Sequence, residues 1–244
     1  MVGDAVHAQA IVLDLARPAE VARLGPHPGL HLCPISPDGR WVATATWKGK
    51  DVKVWEVATG RLVWQMPCDS ALVRFSPDGR WLAVAKVPGH ECRLWHVGSW
   101  QPGPTIQVSA TFLVTAFSRD GRLFAIDDGG RVRLVDPDTG REVATLDAGT
   151  GSSTGFSCLA FSPDDTHVAA GRDHIIHLWD LRLIRAELAA RGLDWDAPPY
   201  PPAGPDRAVG PVVLVSSPED RAPTGAIAPP PSGIAPPATA SRPR

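Results

Sequence analysis

The chain is poor in tyrosine, with one among 244 residues, and shows no basic excess, its formal net charge being −2. A protein built to bind nucleic acid usually carries surplus lysine and arginine, so that class is set aside. No uninterrupted apolar run approaches the roughly 18 residues a membrane-spanning helix needs. The opening MVGDAVHAQAIVLDL has no basic start and contains Asp4, which argues against a cleaved signal peptide. The expectation is a cytoplasmic protein with neither nucleic acid nor membrane as partner. Cys33, Cys68, Cys92 and Cys158 are scattered, without a C-x-x-C pair. They fit neither a zinc site nor a disulfide framework and read as small buried hydrophobes. Glycine-rich phosphate loops and the H-R-D and D-F-G signatures of kinases are also missing, which excludes phosphoryl transfer by these residues.

What is present points to a packed domain with a distinct end. Apolar residues make up 43% and charged residues 20%, enough for a sizeable core. Of 26 prolines, 14 fall in residues 197–244, which places a boundary near Ala197. Beyond it the composition is rich in Pro and Ala, too poor in large apolar groups to fold alone. Pro229–Pro231 favours polyproline II, and Val212–Val215 is a candidate single strand.

The strongest signal is an internal repeat. Ile35-Ser-Pro-Asp-Gly-Arg-Trp-Val-Ala recurs at Phe75, then as Phe117-Ser-Arg-Asp-Gly-Arg-Leu-Phe-Ala and Phe161-Ser-Pro-Asp-Asp-Thr-His-Val-Ala. Ser36, Ser76, Ser118 and Ser162 are spaced by 40, 42 and 44 residues. Each copy is followed by a second apolar segment: VKVWEV, CRLWHV, VRLVDP or IHLWDL. The first motif is turn chemistry. Proline presets φ, aspartate suits the next position, and Gly39, Gly79 and Gly121 take the left-handed conformation. Asp38, Asp78, Asp120 and Asp164 are the turn aspartates. Apolar runs on both sides read as antiparallel strands. Four strands per repeat of this length is the pattern of a β-propeller blade. Trp55, Trp95 and Trp179 form one column, with Val135 in the third repeat, and a large side chain there would fill the wedge between blades. Two residues earlier stand Lys53, Arg93, Arg133 and His177, a basic stripe read as a solvated or locally paired face, with recognition of an acidic partner as the alternative.

These segments resemble the WD-repeat family. Trp179-Asp180 matches in full, Trp55-Glu56 and Val135-Asp136 as variants, and Trp95-His96 more weakly. The resemblance covers about residues 11–181 and implies a fold far more than a function. In that family a Gly-His, a hydroxyl residue and an aspartate six residues before the tryptophan hydrogen-bond it. Only Asp173 matches the aspartate; Gly49, Gly89 and Gly129 stand elsewhere in its place, and Gly25-Pro26-His27 is a loose echo of Gly-His. The polar network is therefore expected to be mostly absent.

The resulting fold expectation is all-β: a partial WD-repeat β-propeller of about four blades plus half a blade. Residues 1–28 supply the last two strands of one blade and 29–181 four repeats, 17 strands in all. An amphipathic helix spans 182–196, with Asp180 as N-cap and Gly192 just past its end, and a disordered Pro/Ala-rich tail fills 197–244. An open array implies an upstream domain or a second chain completing the propeller. The junction WDLRLIR…LAARGLDWDAPPYPP also resembles the end of WD-repeat regions in large planctomycete-type bacterial proteins, often fused to serine/threonine protein kinases.

Several features mimic catalytic sites. Gly151-Ser-Ser-Thr-Gly155 formally matches G-x-S-x-G, but lies between strands rather than at a strand-to-helix turn. His174 and His177, three apart in a strand, point to opposite faces and do not pair with His167 around a metal. Asp127-Asp128 and Asp164-Asp165 fall at tight turns. No catalytic, cofactor or metal residue is assigned. The expected function is a non-catalytic scaffold or sensor binding a protein or peptide through rim loops, with Trp47, Lys48, Lys50, His90, Trp100, Asp127 and Asp128 as contacts. The alternative is the regulatory C-terminal segment of a serine/threonine kinase. A periplasmic or peptidase-associated propeller is a third reading, disfavoured by the Trp-Asp endings.

Overall fold

In Ser-Pro-Asp-Gly-Arg-Trp the side chains, and not only the backbone, build the turn. In the computed structural model, Ser36 Oγ donates to Asp38 Oδ1 at 2.5 Å and accepts from Trp41 N at 2.9 Å, while Asp38 Oδ1 accepts from Arg40 N at 3.0 Å. Ser76 repeats the arrangement with Asp78 and Trp81, Ser118 with Asp120 and Leu123, and Ser162 with Asp164 and His167. The left-handed residue is Gly39, Gly79 or Gly121, and in the last copy Asp165, with φ +58°. Each turn thus fixes the register of the strands it joins.

The described residues are 2–4, 8–16, 19–110, 113–149, 155–172 and 174–200. They form five antiparallel sheets in chain order. The first holds β1 (Val2–Asp4), β2 (Gln9–Asp14) and β3 (Ala19–Leu24). The second holds β4 (Leu30–Leu32), β5 (Trp41–Thr46), β6 (Val52–Glu56) and β7 (Leu62–Met66). The third holds β8 (Ala71–Phe75), β9 (Trp81–Lys86), β10 (Glu91–His96) and β11 (Pro102–Gln107). The fourth holds β12 (Thr115–Phe117), β13 (Phe124–Asp127), β14 (Arg131–Val135) and β15 (Glu142–Asp147). The last holds β16 (Cys158–Phe161), β17 (His167–Arg172) and β18 (Ile175–Asp180), followed by α1 (Leu181–Ala189). The architecture is that of a partial β-propeller. It has one strand more than the sequence count, because β1 precedes the two strands expected in the first sheet.

The core is divided among the seams between consecutive sheets. Ala10 and Val12 share one seam with Trp55, and Val52 and Val54 share the next with Trp95. Cys92 and Leu94 share a third with Val135, and Val132 and Leu134 a fourth with Trp179. The tryptophan column therefore fills the wedge toward the preceding sheet. A register shift precedes that column in each four-stranded sheet, and the same shift lies between Val12 and Leu13 in the first. At the turn end, ionic clamps reinforce two seams. Arg80 reaches Asp138 Oδ1 at 2.6 Å and the Gly121 carbonyl at 3.2 Å, and Asp165 accepts the backbone N–H groups of Arg119 and Asp120. Gly121, at φ +69°, lies against the Asp78 carboxylate, so any side chain there would displace the partner of Arg80.

The last sheet ends differently from the others. Glu56 and Asp136 accept from Thr59 and Thr139 in the turn to the fourth strand. In the same column Asp180 N-caps α1 instead, accepting from Arg182 N at 2.8 Å. The helix is shorter than the 182–196 expected. Gly192, at φ +70°, leads the chain out, and residues 193–200 return as a non-helical strap. Buried Arg185 holds that strap. It forms paired 2.9 Å bonds to Asp194, donates to the carbonyls of Ala197 and Pro198, and lies over the Trp195 and Tyr200 rings. The compact unit runs to Tyr200, and Trp195 and Tyr200 pack on the core of the last seam. Asp173, residues 150–154 and the tail segments noted above lie outside the described residues. Of the cysteines only Cys92 is buried; Cys158 is exposed, contrary to expectation, and burial pushes the Cys92 thiol up to about 12.

Two outcomes follow from these contacts. Ser76→Ala leaves the Trp81 amide without its acceptor and should lower stability by about 1–3 kcal/mol in urea unfolding. Arg185→Ala should release the strap, so that trypsin cuts after Arg191 in the folded variant and not in the parent.

Candidate interaction surface

Strand alternation places the serine turns and the turns into the fourth strands at one end of the sheets. The loops joining second to third strands, and those joining consecutive sheets, lie at the other. Trp47, Lys48, Lys50 and His90 fall on this loop end, between β5 and β6 or between β9 and β10. Trp47 is 40% exposed, with its ring 6.0 Å from that of His31. Lys48 donates its backbone N–H to Ser70 Oγ at 2.8 Å, and its side chain and that of Lys50 have no carboxylate partner among the described residues.

Three of the expected contacts have side chains committed to partners within the structure. Trp100 lies at the opposite end, in the turn between β10 and β11, and packs edge-on against Trp41 at 5.4 Å. It is a seam residue, because the turn folds its ring back over the neighbouring sheet. Asp127 is fully buried and accepts the N–H groups of Gly130 and Phe156 at 3.0 Å each, tying the fourth sheet to the last. Burial raises its pKa, with Asp128 adding to the rise, and the two amide donors and Arg172 oppose it. Asp128 accepts from Ser109 N and pairs with Arg133 at 3.2 Å. The basic stripe is likewise engaged locally. Lys53 and Arg93 lie 5.9 Å over Trp55 and Trp95, Arg133 binds Glu142, and His177 stacks on Trp179.

The paired carboxylates and His167 are also absorbed into structure. Ser162 and Thr166 hydroxyls hold Asp164 down at about 2. His167 bonds Thr166 Oγ1 at 2.8 Å and lies 3.6 Å from Asp180. Among the described residues no cluster of three His, Cys, Asp or Glu could hold a metal ion, and no helix is long and apolar enough to cross a membrane.

Beneath the loop end the second sheet contains the polar network expected to be mostly missing. Trp55 Nε1–H donates to Thr44 Oγ1 at 2.8 Å, and Thr44 Oγ1 is 2.7 Å from His27 Nδ1. His27 Nε2 is 3.0 Å from the Lys50 carbonyl, which can only accept, so Nε2 carries the proton and Nδ1 accepts from Thr44. The backbone carbonyl thus stands where an aspartate would, and Gly25-Pro26-His27 is a working histidine position. In the third sheet Val84 replaces Thr44, and Trp95 Nε1 has no hydrogen-bond partner among the described residues. The signal in the sequence was the pairing of His27 with a hydroxyl in the middle of β5; the carbonyl leaves no trace in side-chain pattern.

Burial of His27 lowers its pKa, outweighing the opposing bond to Lys50. An unfolded chain then binds a proton near pH 6.5 that the folded chain refuses, so stability is complete above that pH and declines as pH falls below it. Urea midpoints measured from pH 7.5 to 5.5 should fall for the parent, and the decline should be shallower for His27→Gln.

Residues 140–180 match the family model described as WD domain, G-beta repeat. A search of curated proteins finds no match. The matched stretch, β15 to β18 with the last serine turn, and the succession of antiparallel sheets support a WD-repeat family for this chain.

Proposed function

We propose that this chain is a protein-interaction scaffold that binds a peptide segment of a protein partner through its loop end. WD-repeat domains generally serve as non-catalytic scaffolds, which sets the class. The observation that carries the choice of end is the make-up of the loop between β5 and β6. There an exposed indole and two ammonium groups, without carboxylate partners among the described residues, stand within one five-residue loop, Trp47–Asp51. Exposed tryptophan supplies apolar contact at small entropic cost, and flanking lysines favour carboxylates. The preferred ligand is an acidic segment with an apolar side chain.

The junction resemblance supports a second reading, in which these sheets regulate a serine/threonine kinase domain in a longer protein. The strap residues that carry that resemblance are folded against the last seam, as the closing element of a repeat array would be.

The test is binding of the intact chain to an array of acidic and basic peptides. Acidic peptides should be retained, more weakly at high salt. Trp47→Ala and Lys50→Ala should each weaken retention about tenfold, a loss of about 1.4 kcal/mol, with the thermal midpoint nearly unchanged. Retention indifferent to both substitutions would reject the loop end as the site.

A further inference from the structure

The same two columns of side chains meet at every seam, and each column has one unmatched member. Residues on the second and third strands facing the following sheet are buried wherever that sheet is present: Ala43, Val52 and Val54; Ala83, Cys92 and Leu94; Ala125, Val132 and Leu134. In the last sheet the equivalent residues are Ala169, Ile176 and Leu178. Ile176 is 76% and Leu178 65% exposed. At the other limit of the array, Leu13 occupies the column of Trp55, Trp95, Val135 and Trp179, immediately after the same register shift. It is 44% exposed, so it does not meet the last sheet of its own chain.

We infer that the chain associates head to tail with a second copy, the Ile176 and Leu178 face of one molecule receiving the Leu13 face of the next. Each existing seam joins a pair from these columns: Val12 with Trp55, Val54 with Trp95, Leu94 with Val135, Leu134 with Trp179. Leu178 with the neighbour's Leu13 continues the series. Two different patches meet in such an interface, so it is heterologous and leads to a ring or an open chain rather than a self-complementary pair. Burying two leucines and an isoleucine removes apolar surface that otherwise stays in water, the force that already holds the seams. The inference is independent of what the loop end binds.

The test is sedimentation velocity of the full chain over a broad concentration range. The parent should self-associate. Leu13→Lys and Leu178→Lys should each weaken association about tenfold or more. An equimolar mixture of the two variants should form a one-to-one complex, because each retains the face the other has lost. Both side chains lie at the surface, so each variant should keep the parental circular dichroism and melting; Ile176→Lys substitutes for either reading of the last sheet if Leu178→Lys fails to fold. A parent monomeric at all concentrations overturns the inference. So does association lost with Leu178→Lys but kept with Leu13→Lys, which would mark a symmetric contact between two last sheets.

Discussion

The structure depends on the packing of one sheet's outward apolar pair against the next sheet's tryptophan-column residue. Each sheet is too thin to bury both its faces alone, so its stability comes from the neighbours. Trp55, Trp95 and Trp179 contribute because an indole spans the wedge that opens between sheets radiating from a common side. Val135 shows that the seam does not require it. There Phe124, in the same sheet as Val135, stands where the Trp95 seam has Leu82, while Trp81 and Phe117 repeat Trp41 and Phe75. Part of the bulk that Val135 lacks is thus supplied from the neighbouring strand.

Polar groups then set register and spacing. The serine–aspartate turn satisfies backbone amides that a hairpin would otherwise leave to solvent, and its four copies agree closely in geometry. Between sheets, Arg80, Asp127 and Asp165 bond mainly to backbone groups or to side chains of the neighbour, so they read position as much as charge. Such contacts are worth more than exposed ion pairs because they satisfy backbone groups that packing would otherwise strand. The buried chain from Trp55 through Thr44 to His27 does the same within a sheet, and only there does the sequence retain both the hydroxyl and the histidine.

What was legible in the sequence had a period. Ser36, Ser76, Ser118 and Ser162 announced the turns, and VKVW-type segments announced the third strands, because each recurs in a fixed relation to the others. The wedge role of the tryptophan column followed from geometry alone. Features that occur once were not legible. Trp100 looked like a loop residue because nothing local says that its turn folds over Trp41. Asp127 looked like a surface turn aspartate because its partner, Phe156 N, is distant in sequence. The strap through Tyr200 looked like the start of a proline-rich tail because its anchor, Arg185, sits on a helix face with no visible reason to be buried.

The aspartate that closes the third strand has one further consequence. In Asp136 it begins a turn to another strand, and in Asp180 it begins a helix, with the preceding strand unchanged in either case. The decision to continue or to stop thus resides in the few residues downstream of a common branching point. An array built this way can gain or lose units without redesign of any internal seam, since only the terminator, α1 with its arginine-held strap, must be moved to the new end.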